Sequence, residues 1–333
     1  MLVIAGLLLV SAATIVPLPF FLEAPGVVEE LGKRVKVERP GSPPLDGDYL
    51  LTTVYLAPGT TVGIVDAWLD PSTRVLRAGE ILAPGQDAQE FFNRQQAVFN
   101  ETAQQAAAVG LRAAGFDVGP DDLHGDGALV VRALPRSAAD GLLLPGDTIV
   151  EANGRPIETL EDLLSALGDA RAGDPVQLTV RRDGRQRDVE VRPRPVPGVS
   201  EQPILGIQPR TLNARINLPV QVKVNSDNIG GPSAGLMIAL TVFDKVDPVN
   251  LASGRRIAGT GTIALDGGRV GPIGGIQQKV LAAARQRIDV FLAPGEQLAE
   301  ARGGLPPGSS MEVIGVHTFA DAVDALMAPA ARG

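Results

Sequence analysis

Ser233 and Lys279 are the side chains of this sequence whose surroundings best suit covalent chemistry. Ser233 lies in Gly230-Gly231-Pro232-Ser233-Ala234-Gly235, between the strand-like Val220–Val224 and Leu236–Leu240, an apolar run that reads as a helix. The serine therefore stands at a helix start. Pro232 suits that place because its missing N–H is one the first turn leaves unpaired, and glycine lets backbone approach a ligand closely. The backbone of Gly231, Pro232 and Ala234, with the positive end of the helix behind it, would face an oxyanion formed beside Ser233.

A serine hydroxyl is a weak nucleophile until a base takes its proton. The chain has no cysteine and only two histidines, His124 and His317, neither in a carboxylate-rich motif. Thiol chemistry and cysteine-bound zinc are excluded, and a metal site or Ser-His-Asp triad has little material; no cofactor is expected. The remaining candidate is Lys279, 46 residues downstream in Gly274-Gly275-Ile276-Gln277-Gln278-Lys279-Val280-Leu281, again a glycine turn opening a helix. Apolar neighbours and a helix N-terminus both disfavour the ammonium form. Its pKa is expected to fall from about 10.4 toward roughly 7 to 8, where an amine serves as general base near neutral pH.

The elements that must position this pair follow from patterning. Tyr49–Leu56 reads as a strand and the Gln/Ala-rich Phe91–Ala114 as a helix, with Gly110 its weak point. From Ala128 short strands take over, at Ala128–Leu134, Asp147–Ala152, Val176–Arg181 and Arg187–Val191, separated by glycine turns and one helix, Thr159–Leu167. Val290–Pro294 reads as a buried strand and Thr318–Leu326 as a closing helix. A chain of 333 residues exceeds one typical domain. Its formal net charge of -8, with no large Lys/Arg cluster, excludes a nucleic-acid surface.

Met1–Leu22 carries no charged side chain and approaches the roughly 20 residues of a bilayer-spanning helix. Residues 1–23 are accordingly expected to be an uncleaved transmembrane signal-anchor, placing the protein in the cell membrane as a single-pass chain with its body outside the cytoplasm; the alternative, a signal peptide cleaved near Ser11-Ala12-Ala13, places the body on the same side. Lys33, Arg34, Lys36 and Arg39 follow the segment, which the positive-inside rule sets against that orientation. Pro17 and Pro19 sit awkwardly near the end of any such helix.

Gly141-Leu142-Leu143-Leu144-Pro145-Gly146-Asp147-Thr148-Ile149-Val150, followed by Asn153-Gly154, resembles the PDZ domain of bacterial periplasmic proteases. That resemblance implies β-augmentation, an extended peptide adding a strand between a sheet edge and the Thr159–Leu167 helix, which carries Leu163. The peptide's terminal carboxylate would rest in an apolar-Gly-apolar loop. Ala114-Gly115-Phe116 and Asp126-Gly127-Ala128 are the two candidates; the first is preferred because Phe116 offers an apolar wall whereas Asp126 would repel a carboxylate.

Gly231–Gly235 (GPSAG) and Pro272–Lys279 (PIGGIQQK) resemble the Ser-Lys dyad motifs of Lon-type peptidases. Ala258-Gly259-Thr260-Gly261-Thr262-Ile263 matches that family's strand, and Thr260 falls where the family has a threonine that orients the lysine. Gly230 and Thr262 replace acidic residues of Lon enzymes that carry ATPase modules, and no GxxxxGK[ST] phosphate loop occurs in the sequence. The whole resembles bacterial membrane-anchored PDZ-Lon peptidases. The expected fold is α+β: a transmembrane helix, a segment at 24–103 partly packing on the peptidase, a β-rich PDZ domain at 104–196 and a Lon-type proteolytic domain at 197–330.

The resemblance implies an ATP-independent serine endopeptidase acting on unfolded or flexible membrane-proximal proteins, with peptides captured at the PDZ groove and a homo-oligomeric ring as one arrangement. Two other readings stand beside it. One is a membrane-tethered PDZ adaptor whose peptidase-like domain only binds; the other is a Ser-His hydrolase using His317.

Overall fold

The computed structural model describes residues 16–328 apart from 42, 43, 83–86, 169, 197 and 228. It divides into two compact units, one formed by the chain up to Pro120 and again from Leu218, the other by Asp121–Asn217. Ahead of the insert, the discontinuous unit contains β1 (Pro17–Glu30), β2 (Asp48–Thr60), α1 (Thr61–Leu69), β3 (Arg74–Arg77) and α2 (Ala88–Ala113). The inserted unit contains β4 (Ala128–Ala133), β5 (Thr148–Ala152), α3 (Leu160–Leu167), β6 (Val176–Arg182), β7 (Arg185–Val191) and β8 (Ile207–Thr211). The chain returns with α4 (Gly235–Val246), β9 (Arg256–Gly259), α5 (Ile276–Ala284), β10 (Val290–Pro294), β11 (Glu312–Val316) and α6 (Phe319–Met327).

In the discontinuous unit a six-stranded sheet runs in the order β11-β10-β9-β2-β1-β3. The strands from β11 to β2 pair in parallel, whereas β1 is antiparallel to both β2 and β3. Every residue of β10 is buried, as an uninterrupted apolar run in the parallel half of a sheet requires. Helix α4 is apolar on all sides and buries eleven of its twelve residues. Its one buried carboxylate, Asp244, accepts from the Tyr49 hydroxyl at 3.0 Å and the Leu251 N–H at 2.7 Å, so it does not stand unpaired in the core. Helix α2 presses on α4 at Gly110, where a Cβ would come within 2.5 Å of the Ala239 carbonyl oxygen. That close crossing accounts for a helix-interior glycine costing about 1 kcal/mol against alanine.

The expected membrane anchor is overturned. Among the described residues no helix is long and apolar enough to cross a membrane. Pro17–Leu22, the end of the expected span, belongs to strand β1, where Phe21 and Leu22 pair with Pro58 and Ala57 of β2. The physical reason lies in Pro17 and Pro19, which lack the N–H a helix interior needs and are tolerated in an extended segment. Residues 1–15 lie outside the described residues. The transmembrane element of the fold class, and the single-pass membrane placement built on it, are corrected accordingly.

The inserted unit is an antiparallel sheet in the order β7-β6-β5-β4-β8. Its core gathers Val130, Ile149, Leu163, Leu178, Val180 and Leu205. Asp183 and Gly184 both have positive φ, 51° and 73°, the geometry a two-residue hairpin between β6 and β7 requires. Asp147 is buried, and Arg182 donates to its two oxygens at 2.6 Å each while the Leu144 N–H donates at 2.8 Å, closing the turn that precedes β5. Thr159 and Asp162 form a reciprocal capping box that starts α3.

Candidate active site

The fold brings Ser233, Thr260 and Lys279 together from three elements. Ser233 sits in the turn leading into α4, Thr260 directly follows β9, and Lys279 lies in the first turn of α5. Lys279 Nζ is 2.6 Å from Ser233 Oγ and 3.0 Å from Thr260 Oγ1. The Thr260 hydroxyl donates to the Ser233 carbonyl at 3.0 Å, and the Gly261 N–H donates to the same oxygen at 2.8 Å. Because its own proton is committed there, Thr260 receives an Nζ–H from the lysine. A neutral Lys279 then has its lone pair free for the Ser233 hydroxyl.

Thr260 is wholly buried and Lys279 is 3% exposed. Burial pushes the Lys279 pKa down to about 7, against the pull of the Glu23 carboxylate, which raises it. Near neutral pH a substantial fraction of the lysine is therefore free amine. Gly275 caps α5 in the left-handed region with φ of 66°, a conformation that glycine adopts without steric cost and that turns the chain so the helix begins at Ile276, three residues before Lys279.

The backbone of the nucleophile turn is partly committed. The Gly231 N–H donates to the Gln95 carbonyl of α2 at 2.8 Å, and Pro232 has no N–H. Among the described residues the N–H groups of Ser233 and Ala234, at the start of α4, make no hydrogen bond, and these two are the donors an oxyanion beside Ser233 could use. Two cavities flank the serine. One, of about 550 Å³, is walled by Phe91, Phe92, Leu56 and Ile273; the other, of about 620 Å³, by Val27, Leu51, Thr53 and Ile229. Both touch Val54, Tyr55, Ser233 and Lys279, so an extended chain laid past β2 would present one peptide bond to the serine. His317 packs its ring on Gly295 and its carbonyl accepts from Val270, a structural placement.

In the inserted unit, Leu163 lines an apolar groove of about 310 Å³ with Leu164, Leu167, Leu205, Ile207 and Pro209. The groove lies between α3 and β8, the edge strand of the sheet. Gly115 and Phe116 belong to the other unit: Gly115, with φ of 86°, ends α2, and the Phe116 ring stacks 5.2 Å from the Arg39 guanidinium. Neither residue is among those that line the groove. Nor is the Asp126–Ala128 loop open, because its Asp126 and Gly127 N–H groups donate to the carbonyls of Leu212 and Glu158.

Sequence reasoning missed the turn at the head of β8, Leu205-Gly206-Ile207, itself an apolar-Gly-apolar pattern that was there to be found. The carbonyls of Leu205 and Gly206 accept from Ala139 and Leu134 on the sheet side, at 2.9 and 2.8 Å. Across planar trans peptides the Gly206 and Ile207 N–H groups must point the opposite way, off the sheet. Gln95 and Glu23 also escaped notice, the first for want of any local signal, the second because it closed a segment read as an anchor.

The model of the PDZ domain matches residues 115–192, and that of the Lon protease (S16) C-terminal proteolytic domain matches residues 208–328. The Lon protease of Mycolicibacterium smegmatis is 31% identical over 128 residues, which make up 37% of this chain and 15% of that protein. The Lon protease of Rickettsia bellii is 38% identical over 91 residues, 27% of this chain and 11% of that one. The chain thus spans a small part of the length of the curated relatives it matches. Among solved structures, the PDZ domain of an SdrC-like protein from Listeria innocua is 20% identical, covers 25% of this chain and 93% of its own, and has a TM-score of 0.24.

Proposed function

We propose, for a chain that joins a PDZ domain to a Lon-type proteolytic domain, an ATP-independent serine endopeptidase that cuts unfolded or flexible protein segments through a Ser233–Lys279 dyad. The observation that carries this reading is the 2.6 Å approach of a buried Lys279 amine to the Ser233 hydroxyl, with Thr260 holding the amine's orientation. Lys279 takes the hydroxyl proton as Ser233 Oγ attacks the scissile carbonyl, and the Ser233 and Ala234 N–H groups receive the oxyanion. The same proton passes to the leaving amine, and the free lysine then activates the water that releases the acyl group. Cavities of a few hundred Å³, open to an extended strand, suit segments that are already unfolded.

The inserted unit serves as the peptide-capture site. A chain end adds to the free edge of β8 beside Leu163, and its carboxylate meets the outward Gly206 and Ile207 N–H groups. The test of the catalytic reading is cleavage of a natively unfolded protein such as casein by the full chain without ATP, comparing wild type with Ser233→Ala and Lys279→Ala. Cutting is expected in the wild type and in neither variant. Cutting that survives either substitution would overturn the dyad.

A further inference from the structure

We propose that Glu23 is a positioning residue for the Ser233–Lys279 pair, its carboxylate bracing the first turn of α5 and facing the lysine across the 550 Å³ cavity whose wall they share. The inference rests on the dyad reading and adds a residue to it.

Glu23 comes from β1 and is 6% exposed, an unusual place for a carboxylate unless other groups compensate it. Arg74 of β3, half-exposed, donates to it at 3.2 Å. One carboxylate oxygen lies against the Gly275 backbone so closely that a Cβ there would come within 2.8 Å of it. Gly275 is the residue from which α5 starts, and negative charge at a helix N-terminus is favoured by the unpaired N–H groups that face it. Glu23 also lines the same 550 Å³ cavity as Ser233 and Lys279. Strand pairing, the arginine and the helix start thus converge to hold a charge that a purely structural position would not require.

The charged groups around Glu23 come from each packed element: Arg74 from β3, Lys279 from α5 and Glu300 from the helix Leu298–Gly303. Burial raises the Glu23 pKa, while Arg74 and Lys279 oppose that rise and Glu300 adds to it. Seen from the lysine, the carboxylate stabilises the ammonium against burial. Removing its charge must lower the lysine pKa further.

The experiment is the pH dependence of casein cleavage by the full chain from pH 5.5 to 9, for wild type, Glu23→Gln and Glu23→Asp, with labelling of Ser233 by a fluorophosphonate across the same range as a readout independent of substrate. The acid limb of both profiles should move to lower pH by about 0.5 to 1 unit in Glu23→Gln and stay near its wild-type place in Glu23→Asp. A residue that only supports the fold would lower activity without moving the limb, and an unmoved or upward-moving limb overturns the proposal. Should Glu23→Gln fail to fold, Glu23→Ala carries the test. It removes the same charge and should move the limb downward likewise; an unmoved limb there also refutes the idea. If Ser233→Ala and Lys279→Ala abolish cleavage while the Glu23 profiles stay in place, only the role of Glu23 falls. If either of those two variants still cuts, the dyad itself falls.

Discussion

Replacing Lys279 with methionine should abolish cleavage and yet stabilise the protein at neutral pH. The lysine pKa falls from its ordinary 10.5 to about 7 in the folded chain, so between those values the unfolded state binds more protons than the native one. Linkage then makes wild-type stability rise with pH across that window. At pH 7 the cost of burying the amine is roughly 4 kcal/mol, and at pH 9 about 2 kcal/mol, taking about 1.4 kcal/mol per pH unit of unshared proton. Methionine keeps the length and packing of the side chain and carries no proton to lose. The lost contacts to Ser233 and Thr260 shift both values by a similar amount, so the informative quantity is the change in the difference. Urea unfolding of wild type and Lys279→Met at pH 7 and pH 9 measures it: the difference between the two proteins should shrink by about 2 kcal/mol toward the higher pH. A difference that does not vary between pH 7 and pH 9 would refute a lysine held largely neutral by burial, and with it the general-base role.

Thr260→Val, which keeps shape and removes the hydroxyl that orients Lys279, should leave the fold intact and lower the cleavage rate by about 10- to 100-fold, read from initial rates at saturating casein. Gly206→Val should destabilise the inserted unit by more than about 2 kcal/mol, because φ is 77° there and a Cβ would come within 2.1 Å of the Ser137 side chain; loss of a separate unfolding transition in calorimetry would report it. Leu164→Asp places a charge on the exposed α3 wall of the α3–β8 groove and should abolish binding of a peptide with a free C-terminal carboxylate, measured by fluorescence anisotropy, while Ser233 still reacts with a fluorophosphonate.

Much of the site's local structure was legible because it is encoded by neighbours in the chain. A glycine turn, Pro232 and an apolar run suffice to set Ser233 at the head of α4. Gly274-Gly275 do the same for Lys279 in α5, and the Thr159–Asp162 and Thr318–Asp321 pairs mark their helix starts as capping boxes. The resemblance named Thr260, and in the structure its hydroxyl donates to the Ser233 carbonyl and accepts from the lysine.

Other features depended on partners far away in the sequence. Pro17–Leu22 closes an apolar segment with the composition of a membrane span, and composition alone does not tell such residues from a strand; for Pro17–Leu22, pairing with β2 decided the matter. Gly231 looked like a free donor until α2 brought the Gln95 carbonyl to its N–H. Leu205-Gly206-Ile207 became the turn at a groove only because β8 closes the edge of the inserted sheet, while Gly115 and Phe116, with equally suitable residue types, end a helix in the other unit. The sequence by itself determined which short segments turn, cap and carry reactive groups, since those depend on adjacent residues. Tertiary structure alone decided which N–H groups remain open, how deeply Lys279 is buried and which carboxylate faces it, because burial and charge proximity are properties of packed surfaces whose contributors are scattered along the chain.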